Sequence, residues 1–254
     1  MSEADDITQK MFPAPRRRTV PRVAEPLQRV DITEVTGPQG RIAAWRLGEG
    51  PAVLLVHGWE DDNALWTPLI EALVARGHAV VAFDNPAHGL SDGGRGHAPE
   101  VADAIAAVAQ TLGPIKAVVA HSVGAWGSAL ALNEGLAAER FVLIAPPSGR
   151  SEDRWRRAAA RMGMSEDALA AAVERMKSQL TAHGRDTLDA TVPKLKLPML
   201  FVHSRVDDRC PFDGAEAMAD TCQDARFYAL EDADHRATAQ DAEAIAVITY
   251  FLEG

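Results

Sequence analysis

Short apolar runs recur along the chain and alternate with segments of helical periodicity. The runs at 52–56 and 79–83 are continuously apolar, which is typical of strands buried on both faces. Two earlier segments, 30–35 and 42–47, show partial period-two alternation around a Gly-Pro-Gln-Gly turn and predict a hairpin. The pattern predicts eight strands in all, at 30–35, 42–47, 52–56, 79–83, 115–120, 141–145, 199–203 and 226–230.

Amphipathic segments separate these strands. Residues 66–76 and 100–112 read as helices that end at glycines, and 238–252 reads as a final helix. Buried parallel strands separated by helices predict an α/β fold, with helices on both faces of a mostly parallel sheet. Residues 1–27 are polar and carry four prolines, so we expect an extended N-terminal arm followed by one domain over 28–254.

One long stretch interrupts the alternation. About fifty residues after the sixth strand, 148–194, carry no strand signal but show helical patterns at 152–162 and 166–182. The second helix has Ser165 as its N-cap. The insertion either packs on the sheet or caps the strand ends where ligands bind, and the position favours the cap. We therefore expect three of its apolar side chains in the substrate pocket: Trp155, Met162 and Met176.

A serine lies at the junction between the strand at 115–120 and a small-residue helical pattern. Ser122 is flanked by Ala120 and Gly124, and a sharp strand-to-helix turn requires small residues at those two places. The usual motif is Gly-x-Ser-x-Gly, from which Ala120 departs by one methyl group. The pattern predicts a nucleophile elbow with Ser122 as the nucleophile.

A serine nucleophile needs a base and an orienting acid. At such an elbow the partners follow the serine in the order acid, then histidine. Three histidines follow Ser122, and only His235 lies in a loop between the last strand and the last helix; His183 falls in the insertion and His203 closes a strand. Either Asp207 or Asp208, after the strand at 199–203, can serve as the acid.

Two backbone N–H groups are candidates for an oxyanion hole. One belongs to Val123, which follows the nucleophile, and the other to Trp59, where Gly58 lets the preceding loop turn sharply. His57 belongs to the same loop and is expected to be structural. The Trp59 side chain either lines an acyl pocket or packs in the core, and the pocket is favoured.

With these motifs in order, residues 28–254 resemble the α/β-hydrolase superfamily. The resemblance implies that Asp207, four residues before Pro211, is the acid rather than Asp208, and that His88 and Ser91 are structural. Ala120, and Ala233-Asp234 in place of a glycine before the histidine, depart from the family pattern. The matching segments are LLVHGW at 54–59, FDNPAHGLS at 83–91, HSVG at 121–124, the stretch 198–211 and ADH at 233–235.

The resemblance implies a serine carboxylesterase with a Ser-His-Asp triad. Because a small cap encloses a limited pocket, we expect it to act on short to medium, uncharged acyl esters. A serine at the elbow excludes the family's dehalogenases and epoxide hydrolases, which use aspartate there. Thioesterases and C–C bond hydrolases share the triad, and so can a non-catalytic small-molecule receptor on this fold. These alternatives stay open, as does the oligomeric state.

Composition limits the kinds of partner that the protein is expected to bind. The net charge is −10 over 254 residues, so electrostatics does not favour binding to nucleic acid or to an anionic membrane. Cys210 and Cys222 form no metal pattern or disulfide framework. With no apolar span and no signal peptide, we expect a cytoplasmic protein that needs neither cofactor nor metal and acts on a small-molecule ester. The acidic residues at 60–62 either face the site entrance and disfavour anionic substrates or form a solvated loop.

Overall fold

The computed structural model describes residues 14–16, 20–148, 156, 160 and 163–254. In these residues eight strands form one sheet in the order β1-β2-β4-β3-β5-β6-β7-β8, which confirms the predicted mostly parallel α/β architecture. The hairpin strands β1 and β2 pair antiparallel, β2 also pairs antiparallel with β4, and the other five pairings are parallel. The strands are β1 Thr33–Gly37, β2 Gly40–Leu47, β3 Ala52–Val56, β4 Ala79–Phe83, β5 Ile115–His121, β6 Arg140–Ile144, β7 Met199–Ser204 and β8 Ala225–Leu230.

Helices cover both faces of this sheet. Within the described ranges they are α1 Thr67–Ala75, α2 Ala98–Leu112, α3 Val123–Asn133, α4 Glu166–Ala182, α5 Leu188–Thr191, α6 Phe212–Asp220 and α7 Ala242–Glu253. Sequence analysis did not predict α6, which begins directly after Pro211. Among the residues that the structure describes, no helix is both long enough and apolar enough to cross a bilayer.

The core divides into two layers because successive side chains of a strand point to opposite faces. In β3, Leu54 and Val56 lie in the layer covered by α2 and α3, whereas Val53 and Leu55 lie in the layer covered by α1 and α7. All five residues of β3 and of β4 are buried. The apolar runs of the sequence are therefore strands enclosed on both sides.

The N-terminal arm joins the second layer before residue 28. Ala24 and Leu27 are fully buried there, and a short 3₁₀ helix, Glu25–Arg29, leads into β1. The described end of the arm is thus part of the core, although the sequence predicted an extended segment up to residue 27.

The described part of the insertion is helical and is attached to the first core layer. Leu169 and Leu180 of α4 are buried in that layer, and Ser165 accepts a hydrogen bond from the N–H of Ala168 as the predicted N-cap. Beyond α4, Arg185 hydrogen-bonds to Glu134 at 2.6 Å, and the Trp126 indole donates to the Asp186 carbonyl at 3.1 Å. Trp155 and Met162 lie outside the described residues, as does the side chain of Met176.

Candidate active site

Ser122 occupies a strained turn between β5 and α3. Its backbone has φ 52° and ψ −125°, a region that non-glycine residues rarely adopt. The turn is held by the Ser122 N–H, which donates to Ile144 O at 3.0 Å, and by the Ala125 N–H, which donates to Ser122 O at 2.9 Å. This is the strand-to-helix geometry predicted from the motif.

Two glycines let the loop after β3 pack directly against this turn. A Cβ on Gly124 would lie 2.5 Å from His57 O and 2.6 Å from Val56 O. A Cβ on Gly58 would lie 2.8 Å from His121 Nδ1 and 3.0 Å from the Ser122 Cβ. At each position the shortest separation is below 3.0 Å, closer than a real Cβ approaches a neighbouring atom, so the approach of the two segments requires glycine at both positions.

The structure brings Ser122, His235 and Asp207 into one hydrogen-bonded chain. His235 Nε2 lies 3.0 Å from Ser122 Oγ, and its Nδ1 lies 2.7 Å from Asp207 Oδ2. Since an ionised carboxylate can only accept, Nδ1 carries the proton and Nε2 accepts from the serine hydroxyl. Of the other two histidines that follow Ser122, His183 ends α4 in an exposed position, whereas His203 is buried in β7 and its Nε2 lies 3.3 Å from Asp207 Oδ2.

The environment of Asp207 keeps its carboxylate ionised. Burial raises its pKa, but hydrogen bonds from His203 and His235 and the charge of His235 outweigh burial and hold the pKa well below its usual range. Its Oδ1 also accepts the backbone N–H groups of Arg209 at 2.8 Å and Cys210 at 2.9 Å. Asp208 is exposed, so the tertiary structure separates the two aspartates that the local sequence left equivalent.

His121 is a buried neighbour to which sequence analysis assigned no role. Its Nε2 donates to the carbonyl oxygen of His235 at 2.9 Å, and the two rings are 4.7 Å apart. Burial, together with the positive charge that His235 can carry, lowers the pKa of His121 to about 3. His121 is therefore neutral at physiological pH and supports the backbone of His235.

His57 holds the loop after β3. Its Nδ1 donates to Gly58 O at 2.8 Å, and its Nε2 accepts the N–H of Asn85 at 2.9 Å. Both ring nitrogens are thus used in holding two loops together.

The neighbouring side chains of this region are held in a similar way. His88 accepts the N–H of Glu60 at 3.0 Å, and the Ser91 hydroxyl accepts the N–H of Ala43 at 2.9 Å. The Trp59 ring stacks on His97 with centroids 4.7 Å apart, and it is only partly buried.

The two backbone N–H groups predicted for the oxyanion hole stay candidates. Val123 is the first residue of α3, so its N–H has no acceptor within the helix. Neither this group nor the N–H of Trp59 donates to a backbone acceptor in the turns and loops of the described residues.

The three acidic residues after Trp59 differ in exposure. Glu60 is partly exposed, with a side-chain exposure of 38%. Asp61 and Asp62 are buried, with side-chain exposures of 7% and 1%, and both accept hydrogen bonds from Arg22 of the arm. Arg236 binds Asp61 as well. The expectation of a solvated loop is therefore wrong for Asp61 and Asp62, whose carboxylates are paired with arginines of other segments.

No metal centre can be assembled from the residues that the structure describes. None of their His, Cys, Asp and Glu side chains form a group of three or more that could hold an ion. Cys210 and Cys222 form no disulfide bond in the described residues.

Comparison with known proteins identifies similar chains. The model of the alpha/beta hydrolase family matches residues 53–248. The 2-(acetamidomethylene)succinate hydrolase of Mesorhizobium japonicum is 36% identical over 107 residues, 41% of this chain and 36% of that protein. The pimeloyl-acyl-carrier-protein methyl ester esterase of Nitrosospira multiformis is 30% identical over 138 residues, 52% of this chain and 50% of that protein. The matches thus span half or less of these relatives' length.

Solved structures share the fold over most of the chain. An esterase from Pyrococcus furiosus superimposes with a TM-score of 0.74 at 20% identity, covering 95% of this chain and 97% of that one. The esterase RhEst1 from Rhodococcus sp. ECU1013 gives a TM-score of 0.69 at 19% identity, covering 89% and 99%.

Replacing Gly124 tests the close contact at the turn. Gly124→Ala should lower the free energy of unfolding by about 1–3 kcal/mol, because its Cβ would overlap two carbonyl oxygens of the neighbouring loop. Gly94→Ala is the control, since a Cβ there meets nothing within 4 Å. Urea unfolding of both variants makes the comparison, and equal stabilities would contradict the contact.

The lowered pKa of His121 predicts a pH dependence of stability. Between its ordinary pKa of 6.5 and about 3, the unfolded chain binds a proton that the folded chain excludes. Stability should therefore fall as the pH drops below 6.5, by about 2 kcal/mol between about pH 7.5 and about pH 5. His121→Gln should lack this component, so urea unfolding of both proteins should give a stability difference that shrinks in acid. A pH-independent difference would contradict the assignment.

Proposed function

Since the chain belongs to the alpha/beta hydrolase family, we propose that it cleaves carboxylic esters through an acyl-enzyme formed on Ser122. His235 acts as the general base and acid, and Asp207 orients it. The observation that carries the proposal is the position of His235, 3.0 Å from Ser122 Oγ and 2.7 Å from Asp207 Oδ2. Both distances suit proton transfer without rearrangement.

The proposed first step is attack of Ser122 Oγ on the ester carbonyl. His235 Nε2 accepts the hydroxyl proton, and the ionised Asp207 stabilises the imidazolium that forms. The developing oxyanion binds the N–H groups of Trp59 and Val123, of which the second lies at the positive end of α3. The tetrahedral intermediate then collapses, and His235 gives its proton to the departing alcohol.

The second step hydrolyses the acyl-enzyme. Water takes the place of the alcohol, His235 removes its proton, and the acid is released with Ser122 regenerated. A serine at the elbow supports this two-step route. One relative is named as a methyl ester esterase and another as a hydrolase of an acetamido compound, which supports hydrolysis at a carboxyl-type carbon.

The proposed substrates carry short to medium, uncharged acyl groups. The insertion between β6 and β7 is short, and a small cap encloses a limited pocket. The half-buried Trp59 ring is a candidate wall of that pocket, together with Trp155, Met162 and Met176. A panel of p-nitrophenyl esters and acyl thioesters of graded length separates an esterase from a thioesterase and maps the acyl preference.

Ser122→Ala should abolish ester turnover and labelling by a fluorophosphonate probe. Loss of a triad nucleophile costs on the order of 10⁴–10⁶ in kcat. Ser128→Ala is the matched control, because Ser128 is a second buried serine on α3 without a described hydrogen-bond partner. Unchanged turnover in pure Ser122→Ala would overturn the proposal. A wild-type chain that takes up the probe but turns over no ester or thioester would support the receptor alternative.

The two aspartates after β7 give a second test. Asp207→Asn should lower kcat by on the order of 10⁴, because an amide can donate to His235 and favour the wrong tautomer. Asp208→Asn alters an exposed side chain and should change kcat by less than about tenfold. Steady-state kinetics on one ester ranks the variants, and the reverse ranking would make Asp208 the acid.

A further inference from the structure

We infer that Asp61 is a positioning residue, which binds Arg236 and thereby fixes the position of the His235 loop relative to the Trp59 loop. The inference rests on the proposed function, since it concerns the geometry of that same site. Asp61 touches neither Ser122 nor His235 in the described contacts and acts through its arginine partner.

The contact joins the two loops at their functional residues. Asp61 lies two positions after Trp59, and Arg236 directly follows His235. Arg236 Nε lies 2.7 Å from Asp61 Oδ2, and its Nη2 lies 3.3 Å from Asp61 Oδ1. A two-point contact of this kind fixes orientation as well as distance. The pair is 175 residues apart in sequence, so it is a tertiary restraint.

Other contacts of Arg236 limit its freedom on the opposite side. Its Nη1 donates to Gln240 Oε1 at 2.9 Å, and the Gln240 amide donates to Leu65 O at 3.1 Å. Its own N–H donates to Asp234 Oδ1 at 2.9 Å, which shapes the turn after His235. Hydrogen bonds on two sides therefore hold the Arg236 guanidinium between the His235 loop and the segment that follows Trp59.

Arg22 of the N-terminal arm supplies a second positive charge beside Asp61 and Asp62. Arg22 Nη2 lies 3.2 Å from Asp61 Oδ1 and 3.1 Å from Asp62 Oδ1, so two carboxylates face two guanidinium groups. Burial raises the pKa of Asp61, but the hydrogen bond and the charge of Arg236 help to lower it by more than burial raises it. The net pKa lies below its ordinary value, so the carboxylate stays ionised. Asp62 is also buried and has the same arm partner, but its described arginine contact is with Arg22 and not Arg236.

This difference supplies a matched pair of variants. Asp61→Asn keeps the side-chain volume but leaves Arg236 a neutral partner with one acceptor oxygen. We expect kcat for a p-nitrophenyl ester to fall about 10- to 100-fold with KM within about threefold, because a shift of about 1 Å in a reacting group costs up to about 100-fold. Asp62→Asn should lower Tm and leave kcat within about threefold, since its described arginine contact is with the arm and not with the residue that follows His235.

Variants of Arg236 test whether the effect passes through this pair. Arg236→Gln should match Asp61→Asn, and Arg236→Lys should recover part of kcat because the charge remains while the two-point contact is lost. The double variant Asp61→Asn/Arg236→Gln should be no slower than either single variant, since both remove the same interaction. Additive losses would place the two side chains in separate roles and overturn the inference.

Titration with the fluorophosphonate probe separates positioning from unfolding. Rates are expressed per labelled Ser122, so a variant that merely loses folded protein keeps its kcat. The inference fails if Asp61→Asn retains wild-type kcat, or if Asp62→Asn loses as much. These outcomes are distinct from failure of the proposed function, in which wild-type turnover would persist in Ser122→Ala and none of the comparisons would apply.

Discussion

The close contact between the turn at Ser122 and the loop after β3 is the constraint on which the site depends. β3 and β5 are parallel neighbours, with Val56 opposite Ala120, so their carboxyl ends meet at the same edge of the sheet. The loops that leave these ends must then share one small space. Gly58 and Gly124 make the approach possible, because a Cβ at either position would overlap the other segment. The proposed nucleophile and the segment of the proposed oxyanion donor Trp59 are adjacent for this reason.

Buried histidines hold the rest of the site through hydrogen bonds. His57 uses both ring nitrogens on the backbone of two loops, and His121 donates to the carbonyl of His235. His203 contacts Asp207 at 3.3 Å and Cys210 O at 3.0 Å. A neutral imidazole offers one donor and one acceptor at fixed positions, so it can join backbone segments in places where a charge would be costly. His235 differs in that both of its nitrogens face reactive side chains.

The buried carboxylates in this part of the molecule are each bound by hydrogen-bond donors or by arginine side chains. Asp207 accepts two backbone N–H groups besides His235, and Asp61 and Asp62 are paired with Arg22 and Arg236. A buried ion pair contributes little net stability, and its value lies in fixing geometry. The arm, the Trp59 segment and the His235 loop therefore meet at one neutral cluster. Substitutions of Asp61 or Arg236 in this cluster are expected to alter geometry as well as stability.

The sequence by itself determined the order of the strands along the chain, the turn at Ser122 and the position of His235. Apolar periodicity indicates which segments are buried, and small or turn-forming residues indicate where the backbone must bend. It missed α6, and it misjudged Asp61 and Asp62 as exposed. The local residues left Asp207 and Asp208 equivalent until the family resemblance separated them. Only the tertiary structure decided which carboxylate reaches His235 and that Asp61 meets Arg236. Such pairings join segments far apart in the chain, and no local pattern encodes which side chains the packed sheet brings together.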